Sequence, residues 1–508
     1  MEFKIPVLSQ FRGFAAPKTS NPFTKPPNSW LQELPIEIHL LILRYLKHRD
    51  KLSLLQASWF FYNLLLPLIY EDLNPRWTQN LVVTLVRRPS FCAYPRSLRL
   101  QAWRAPNPRG EGDGEGEADR SRRNIDIDLT TLRRWDLSLV LAKVREASLS
   151  TEEAARWEEN IKRENADAWT GLLLTLLPNL VRLYVQFSQH SVYVPRILHN
   201  AASGQYTGMP VLQNIEEVAV SAAFVPDGES VPSLVSPFFG LPRLRWLTTD
   251  ALFDGEARIQ YLTRTRTSSP ITHLSIGWNR GGLERLDDLV ANCPQLESFR
   301  YGYFPYSWCD PSLNHYLYPA LLQRKQSLKK LWLDINRGRD GTPSTIWPSF
   351  SEFSALELLH VPHYLLGHFD HDAPDTEAVR GLPDLLPPSL ETLHVTEVGT
   401  SAVNALFPCL AEYVRLRARE AQLVELCIAS TTFLPNMDNA NANTDLEIST
   451  ANITDTNRDT HPKSLLDHVI GLRDACSASG TRFAIHRKDS RDLAPWRFEE
   501  PFPQRDLR

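Results

Sequence analysis

Leu328-Lys-Lys-Leu-Trp-Leu333 decides the reading of the fold, because the same six-residue pattern returns along most of the chain. Three apolar residues stand at its first, fourth and sixth positions. Copies begin at Leu180, Ile215, Leu244, Ile271, Leu296, Leu328, Leu356, Leu390 and Leu423. Leu98-Arg-Leu100 and Phe483-Ala-Ile485 are fragments that open and close the series. On a strand the fourth and sixth positions face one side and can be buried together. One short strand per unit of about 30 residues is the mark of a stacked repeat array. Apolar runs closed by proline precede several copies: Leu172–Leu177 before Pro178, Leu289–Cys293 before Pro294, and Leu382–Leu386 before Pro387. They suit a helix returning to the next strand. No unit can bury its apolar face alone, so neighbouring units share one core.

The expected fold class is therefore α/β: a curved parallel sheet with outer helices, preceded by a short module of three helices. Residues 1–28 read as a flexible arm, 29–73 as the helical module and 74–104 as a connection into the repeats. Residues 105–124 (APNPRGEGDGEGEADRSRRN) and 436–463 are polar and low in complexity. They are expected to be a disordered loop and a disordered insertion. The solenoid spans 125–435, and 464–508 supply a last repeat or cap and a tail.

The helical module reads WLQELPIEIHLLILRYLKHRDKLSLLQASWFFYNLLLPLIYEDL. Pro35 suits the first turn of a helix. Ile38, Leu41, Ile42, Tyr45 and Leu46 form an apolar stripe at helical spacing, and Ile36, Leu40 and Leu43 add apolar surface on other faces. Lys47-His48-Arg49 would close that helix, where the dipole favours cations. Asp50 would cap a second helix. A third is expected over 59–66, with Pro67 bending or ending it. Three short helices make little core of their own, so such a unit is apt to be completed by a partner.

Leu34-Pro35, Glu37-Ile38, Ile42-Leu43, Leu46, Asp50 and Leu52, with the ending Leu66-Pro67-Leu68-Ile69-Tyr70-Glu71-Asp72-Leu73, resemble the F-box family of fungal type. Ser58-Trp59-Phe60-Phe61 departs from that family's usual turn. The resemblance covers about 45 residues. The repeats resemble the leucine-rich repeats found in many F-box proteins, in degenerate form, since most copies lack the usual Asn after the strand. The resemblance implies a hook that docks a Skp1-type adaptor and, through it, a cullin scaffold carrying the ubiquitin-conjugating machinery. It makes Leu34, Pro35, Ile38, Ile42, Leu43 and Leu46 the candidate Skp1 contacts. The alternative for Ile38, Ile42 and Leu46 is that they hold the three helices together.

The third and fifth motif positions point to the concave side of the expected sheet. They include Arg182, Glu217, Thr248, His273, Lys330, His360, Thr392, His394 and Glu425. Aromatic residues beside cations suit a contact hot spot, so Tyr184, Trp246, Arg300 and Trp332 are the candidate contacts for a captured protein substrate. The implied function is a non-catalytic adaptor of an SCF-type (Skp1-cullin-F-box) ubiquitin ligase. The alternative is a binding scaffold that holds Skp1 or other proteins without ubiquitin transfer.

Composition limits other functions. There are 55 Lys and Arg against 59 Asp and Glu, a balance unsuited to a chain built to neutralise phosphates. Nucleic acid is therefore not an expected partner. No apolar run reaches the roughly 18 residues of a membrane span, and the opening residues lack a signal-peptide core. The six scattered cysteines read as reduced thiols. A cytoplasmic or nuclear location is expected. The cluster His360, His363, His368, Asp370, His371 and Asp372 is metal-like in composition, but a solvated loop is the preferred reading. No phosphate-binding glycine motif, dinucleotide fingerprint or nucleophile elbow is present, and no cofactor is expected.

Overall fold

The computed structural model describes residues 34–75, 78–100, 134–187, 191–222, 235–249, 268–279, 286–303, 313–335, 347–367, 381–418, 423–430 and 462–487. The expected arm at 1–28, the loop at 105–124 and residues 368–372 lie outside them, as does the insertion expected at 436–463 except Pro462 and Lys463, which open a helix instead. Twelve strands form one sheet whose order follows the chain. They are β1 (Asp72–Leu73), β2 (Ser97–Leu100), β3 (Arg182–Phe187), β4 (Glu217–Ala222), β5 (Trp246–Thr249), β6 (His273–Asn279), β7 (Ser298–Tyr303), β8 (Lys330–Ile335), β9 (Leu358–Pro362), β10 (Thr392–Val398), β11 (Glu425–Ser430) and β12 (Arg482–Arg487). The pairings β1–β2 and β4 through β12 are parallel. The chain divides into two compact units, residues 1–184 with 190–214, and residues 185–189 with 215–508.

In the second unit each strand up to β11 begins at the third motif position, two residues later than the motif itself. The first position makes no strand pair. It is a buried plug: Ile215, Leu244, Ile271, Leu296, Leu328, Leu356 and Leu390 are all fully inaccessible. The second position supplies a staircase of backbone bonds. The carbonyls of Glu216, Arg245, Thr272, Glu297, Lys329, Glu357 and Glu391 each accept two N–H groups from the next repeat, at 2.8–3.1 Å. Fourth and sixth positions such as Phe299, Tyr301, Leu331 and Leu333 are buried. Each such side chain contributes about 1.5–3 kcal/mol of burial. Helices precede or follow the strands: α9 (Leu286–Ala291), α10 (Leu313–Leu322), α11 (Leu382–Leu385), α12 (Thr400–Ala418) and α13 (Pro462–Ser479). Gly480 takes φ +74° between α13 and β12, the left-handed stop that glycine accepts readily.

The first unit opens with α1 (Ile36–Tyr45), α2 (His48–Ala57) and α3 (Trp59–Glu71), then α4 (Thr78–Arg87). The helix boundaries differ from the sequence expectation. Leu46 and Lys47 are extended, so α1 stops before Lys47, and His48-Arg49-Asp50 open α2 instead of closing α1. Lys47, not Asp50, is the cap. Asp50 sits in the first turn, where an acid is equally favoured by the dipole. α3 runs through Pro67 to Glu71, capped by Ser58, whose hydroxyl accepts from the Phe61 N–H at 3.2 Å. Pro67 leaves the carbonyl of Asn63 without its helical donor, and Asn63 is exposed, so water can replace it. Asp72–Leu73, expected as the end of the helical module, is the first strand.

Between β2 and β3 the unit carries α5 (Arg134–Ala147), α6 (Thr151–Lys162) and α7 (Ala166–Thr175), three helices where a single return was expected. Trp157 and Trp169 are fully buried, and their indole N–H groups donate to the carbonyls of Ala168 and Ile161. Helix α8 (Tyr193–Ala202) has no cap from its own flank. The Asp167 carboxylate of α7 takes that role. Its oxygens accept from the N–H groups of Val192 and Tyr193 at 2.6 Å each and of Val194 at 3.4 Å. Burial pushes its carboxyl upward, against the pull of those three donors. Asp167→Ala leaves them unanswered in a buried site. It is expected to lower the unfolding free energy by about 2 kcal/mol, read as a lower urea midpoint, while Asp167→Asn recovers part of the loss.

Candidate functional site

Two surfaces carry the sequence-predicted residues, one in each unit. The first is the outer face of the three-helix hook. Among the described side chains of α1, His39 (2%) and Leu43 (3%) are the buried ones, one helical turn apart. Leu55 of α2 and Phe61, Leu65 and Leu66 of α3 are buried too. His39 lies 5.2 Å from the Phe60 ring and 5.9 Å from that of Phe61. Its Nδ1 is 3.1 Å from the Pro35 carbonyl oxygen. A polar ring thus sits inside while the apolar stripe read from the sequence points out. Ile38 is 41% exposed, Ile42 37% and Tyr45 83%. Pro35 is exposed, and Leu34 and Leu46 are half-buried. Leu43, expected among the contacts, is a core residue of the hook, because the buried stripe is set by His39 and Leu43.

Sequence reasoning missed part of this face. Trp59 (73%) and Phe60 are exposed as well, and Trp59 stacks on Tyr62 at 5.1 Å. Their signal was Ser58-Trp59-Phe60-Phe61, four residues read only as a departure from a pattern. Several exposed Ile, Leu, Trp and Phe side chains on one small module make it a candidate interaction surface.

The second surface lies on the side of the sheet away from the buried fourth and sixth positions. Arg300 pairs in register with Trp332, Trp332 with His360, His360 with His394, and His394 with Cys427. The strands β7–β11 thus stack the fifth-position side chains into a column. The Arg300 guanidinium lies 4.5 Å above the Trp332 ring. His360 stacks on that ring at 3.6 Å and 12°. His394 stands edge-on to both, at 6.1 Å and 5.7 Å. Arg300 and His360 come from strands on opposite sides of β8, so the indole is held between them. Burial pushes the Arg300 guanidinium below its usual value, and the charge of Asp334 only partly offsets this.

The four predicted substrate contacts are not one cluster. Arg300 and Trp332 touch. Trp246 is stacked on His273 at 3.6 Å, and Tyr184 lies under Arg99 at 5.7 Å in the first unit. His360 and His394 complete the column; only strand register reveals that they adjoin Trp332. Among the described residues no group of three or more His, Cys, Asp or Glu is placed to hold a metal ion. His360 and His363 are both buried. Cys92, Cys293, Cys409, Cys427 and Cys476 are free thiols. No described helix is long and apolar enough to cross a membrane.

The staircase of second-position carbonyls and the buried first, fourth and sixth positions describe one repeating unit, and the model of a leucine-rich repeat domain matches residues 138–452. The chain belongs to the leucine-rich repeat family. No curated protein matches it. The match covers the whole column on β7–β11 and begins within α5. Leucine-rich repeat domains generally bind proteins.

Proposed function

We propose that the chain is the substrate-recruiting subunit of an SCF-type ubiquitin ligase. The hook docks a Skp1-type adaptor and the leucine-rich repeats hold the protein to be modified. The observation that carries this reading is the inverted α1, with His39 inside and Ile38, Leu41, Ile42 and Tyr45 outside. Burying one such side chain fully is worth about 1.5–3 kcal/mol, so a complementary chain gains strongly by covering several. The resemblance of Leu34-Pro35 and the residues after it to an F-box supplies the identity of that chain. In this reading the ubiquitin chemistry belongs to other subunits, this chain is not an enzyme, and it works in the cytoplasm or nucleus.

The test is affinity purification of the full-length chain. Recovery of Skp1 together with a cullin is expected. Recovery of Skp1 without a cullin would replace the ligase reading with that of a scaffold, and recovery of neither would end both.

A further inference from the structure

Arg87-Arg88-Pro89-Ser90 are four consecutive exposed residues at the exit of α4, and the adaptor reading makes no use of them. Among the described residues, two serines follow a pair of cations at this spacing, Ser90 and Ser327. Ser327, after Arg324-Lys325-Gln326, is half-buried, and its hydroxyl donates to the Leu296 carbonyl at 2.9 Å. Ser90 is exposed. The two arginines before it are held differently. Arg87 is paired with Asp136, whose side chain is fully inaccessible. The Arg88 guanidinium lies on the surface, where it donates to the Tyr62 hydroxyl of α3 at 3.0 Å. It also lies 5.3 Å from the Phe91 ring, and the Arg88 carbonyl accepts from the Phe91 N–H at 2.9 Å. Arg88 is thus folded forward over the turn Pro89–Ala93 that contains Ser90. Tyr62 in its turn stacks on Trp59 of the hook.

We infer that Ser90 is a phosphorylation site for a basic-directed serine kinase, and that its phosphate takes Arg88 from Tyr62. Carboxylates in such a kinase recognise cations ahead of the serine. The Ser90 Oγ attacks the γ-phosphorus of a nucleoside triphosphate held by the kinase. The Oγ–P bond forms as the bond from that phosphorus to the β–γ bridging oxygen breaks. The nucleoside diphosphate leaves, and the hydroxyl proton passes to the kinase. A kinase takes its substrate extended, so the turn opens first and exposes Phe91, its one buried side chain. That opening is confined to one short surface turn. Once it closes, the phosphoserine carries nearly two negative charges two residues from Arg88, within ~7 Å between Cα atoms. A charge-assisted hydrogen bond is roughly twice as strong as one to a neutral hydroxyl, so the guanidinium moves to the phosphate. Arg87 stays, because its departure would strand the buried Asp136 carboxylate. The freed Tyr62 and the new anion adjoin Trp59 on the outer face of the hook, so the phosphorylated chain docks its partner less well. Only this last step rests on the adaptor reading.

The experiment uses the native full-length chain, ATP and the catalytic subunit of cyclic-AMP-dependent protein kinase. A peptide of residues 84–94 is the reference substrate, and mass spectrometry of proteolytic fragments locates the phosphate. Phosphate on Ser90 of the native chain is expected, and Ser90→Ala should lose it. None there, under conditions that phosphorylate the peptide, would overturn the inference. Phosphorus NMR then reads the surroundings of the phosphate. Its second pKa should fall from the usual value of about 6 to about 5. In Arg88→Gln, phosphorylated through Arg87 with excess kinase, it should return to about 6. The same value in both chains would overturn the transfer of Arg88. The phosphorylated chain should recover severalfold less Skp1-type partner than the unmodified one, and Ser90→Ala as much as the wild type. Equal recovery by the two forms would overturn the link to the hook. Phosphate and pKa shift found in a chain that recovers no Skp1 in either form would end the adaptor reading and leave the phosphate switch standing.

Discussion

A chain carrying Ile38→Asp and Ile42→Asp should recover at least about a hundredfold less Skp1-type partner than the wild type, while its thermal unfolding midpoint moves by only a few degrees. Both side chains are more than a third exposed in the hook. Their carboxylates would stay hydrated in the free protein, where surface substitutions usually change stability by about 0.5 kcal/mol or less. In a docked complex the same groups would be buried without a cation, at a cost of several kcal/mol. A hundredfold loss needs only about 2.7 kcal/mol, so even partial burial reaches it. Leu43→Ala separates contact from structure. Leu43 is inside the hook and its truncation should cost about 2–5 kcal/mol of local stability, with any loss of partner following from unfolding. Undiminished recovery of Skp1 by the folded double variant would remove the outer face of α1 from the interface.

The distinction between those two substitutions was invisible in the sequence. A helical period identifies a stripe but not the side of the helix that is buried. Ile38, Leu41, Ile42 and Tyr45 outweigh His39 and Leu43 in apolar content, so the period alone favours the wrong face as the core. What sets the inside is the placing of His39 against Phe60 and Phe61 on α3, a tertiary fact. The boundary between α1 and α2 was obscure for a related reason. Lys47-His48-Arg49-Asp50 suits the end of one helix by its cations and the start of the next by its acid, and the extended backbone at Leu46 and Lys47 decides between them.

The repeats were far more legible. Their information is local and redundant: the same three apolar positions recur nine times, and each burial supports its neighbours. Even there the motif did not mark the strand's true start. The first position reads as a strand residue by its apolarity, yet it plugs the core, and the second spends its carbonyl on two N–H groups of the next repeat. Alternation correctly put Arg300 and Trp332 on one face. It could not say that His360 and His394 complete their column while Trp246 and Tyr184 stand elsewhere, because that depends on which strands pair and in what register.

Least legible of all was the ion pair between Arg87 of α4 and Asp136 of α5, 49 residues apart in the sequence. It is bidentate: Arg87 Nε donates to Asp136 Oδ1 at 2.6 Å, and a second guanidinium nitrogen donates to Oδ2. The partners are unequally buried. The Asp136 side chain is fully inaccessible, while that of Arg87 is 43% exposed. This inequality predicts unequal mutants. Asp136→Ala returns Arg87 to water and should cost about 1 kcal/mol, close to the value of an exposed pair. Arg87→Ala strands a carboxylate in a dry site and should cost about 3 kcal/mol or more. The loss is read on the transition that carries the signal of the first unit's own residues. Urea denaturation followed by circular dichroism, with tryptophan fluorescence reporting on the buried Trp157 and Trp169, would measure it. The order matters more than the sizes: equal losses, or a larger loss for Asp136→Ala, would mean that the carboxylate is solvated and the pair contributes no more than a surface contact.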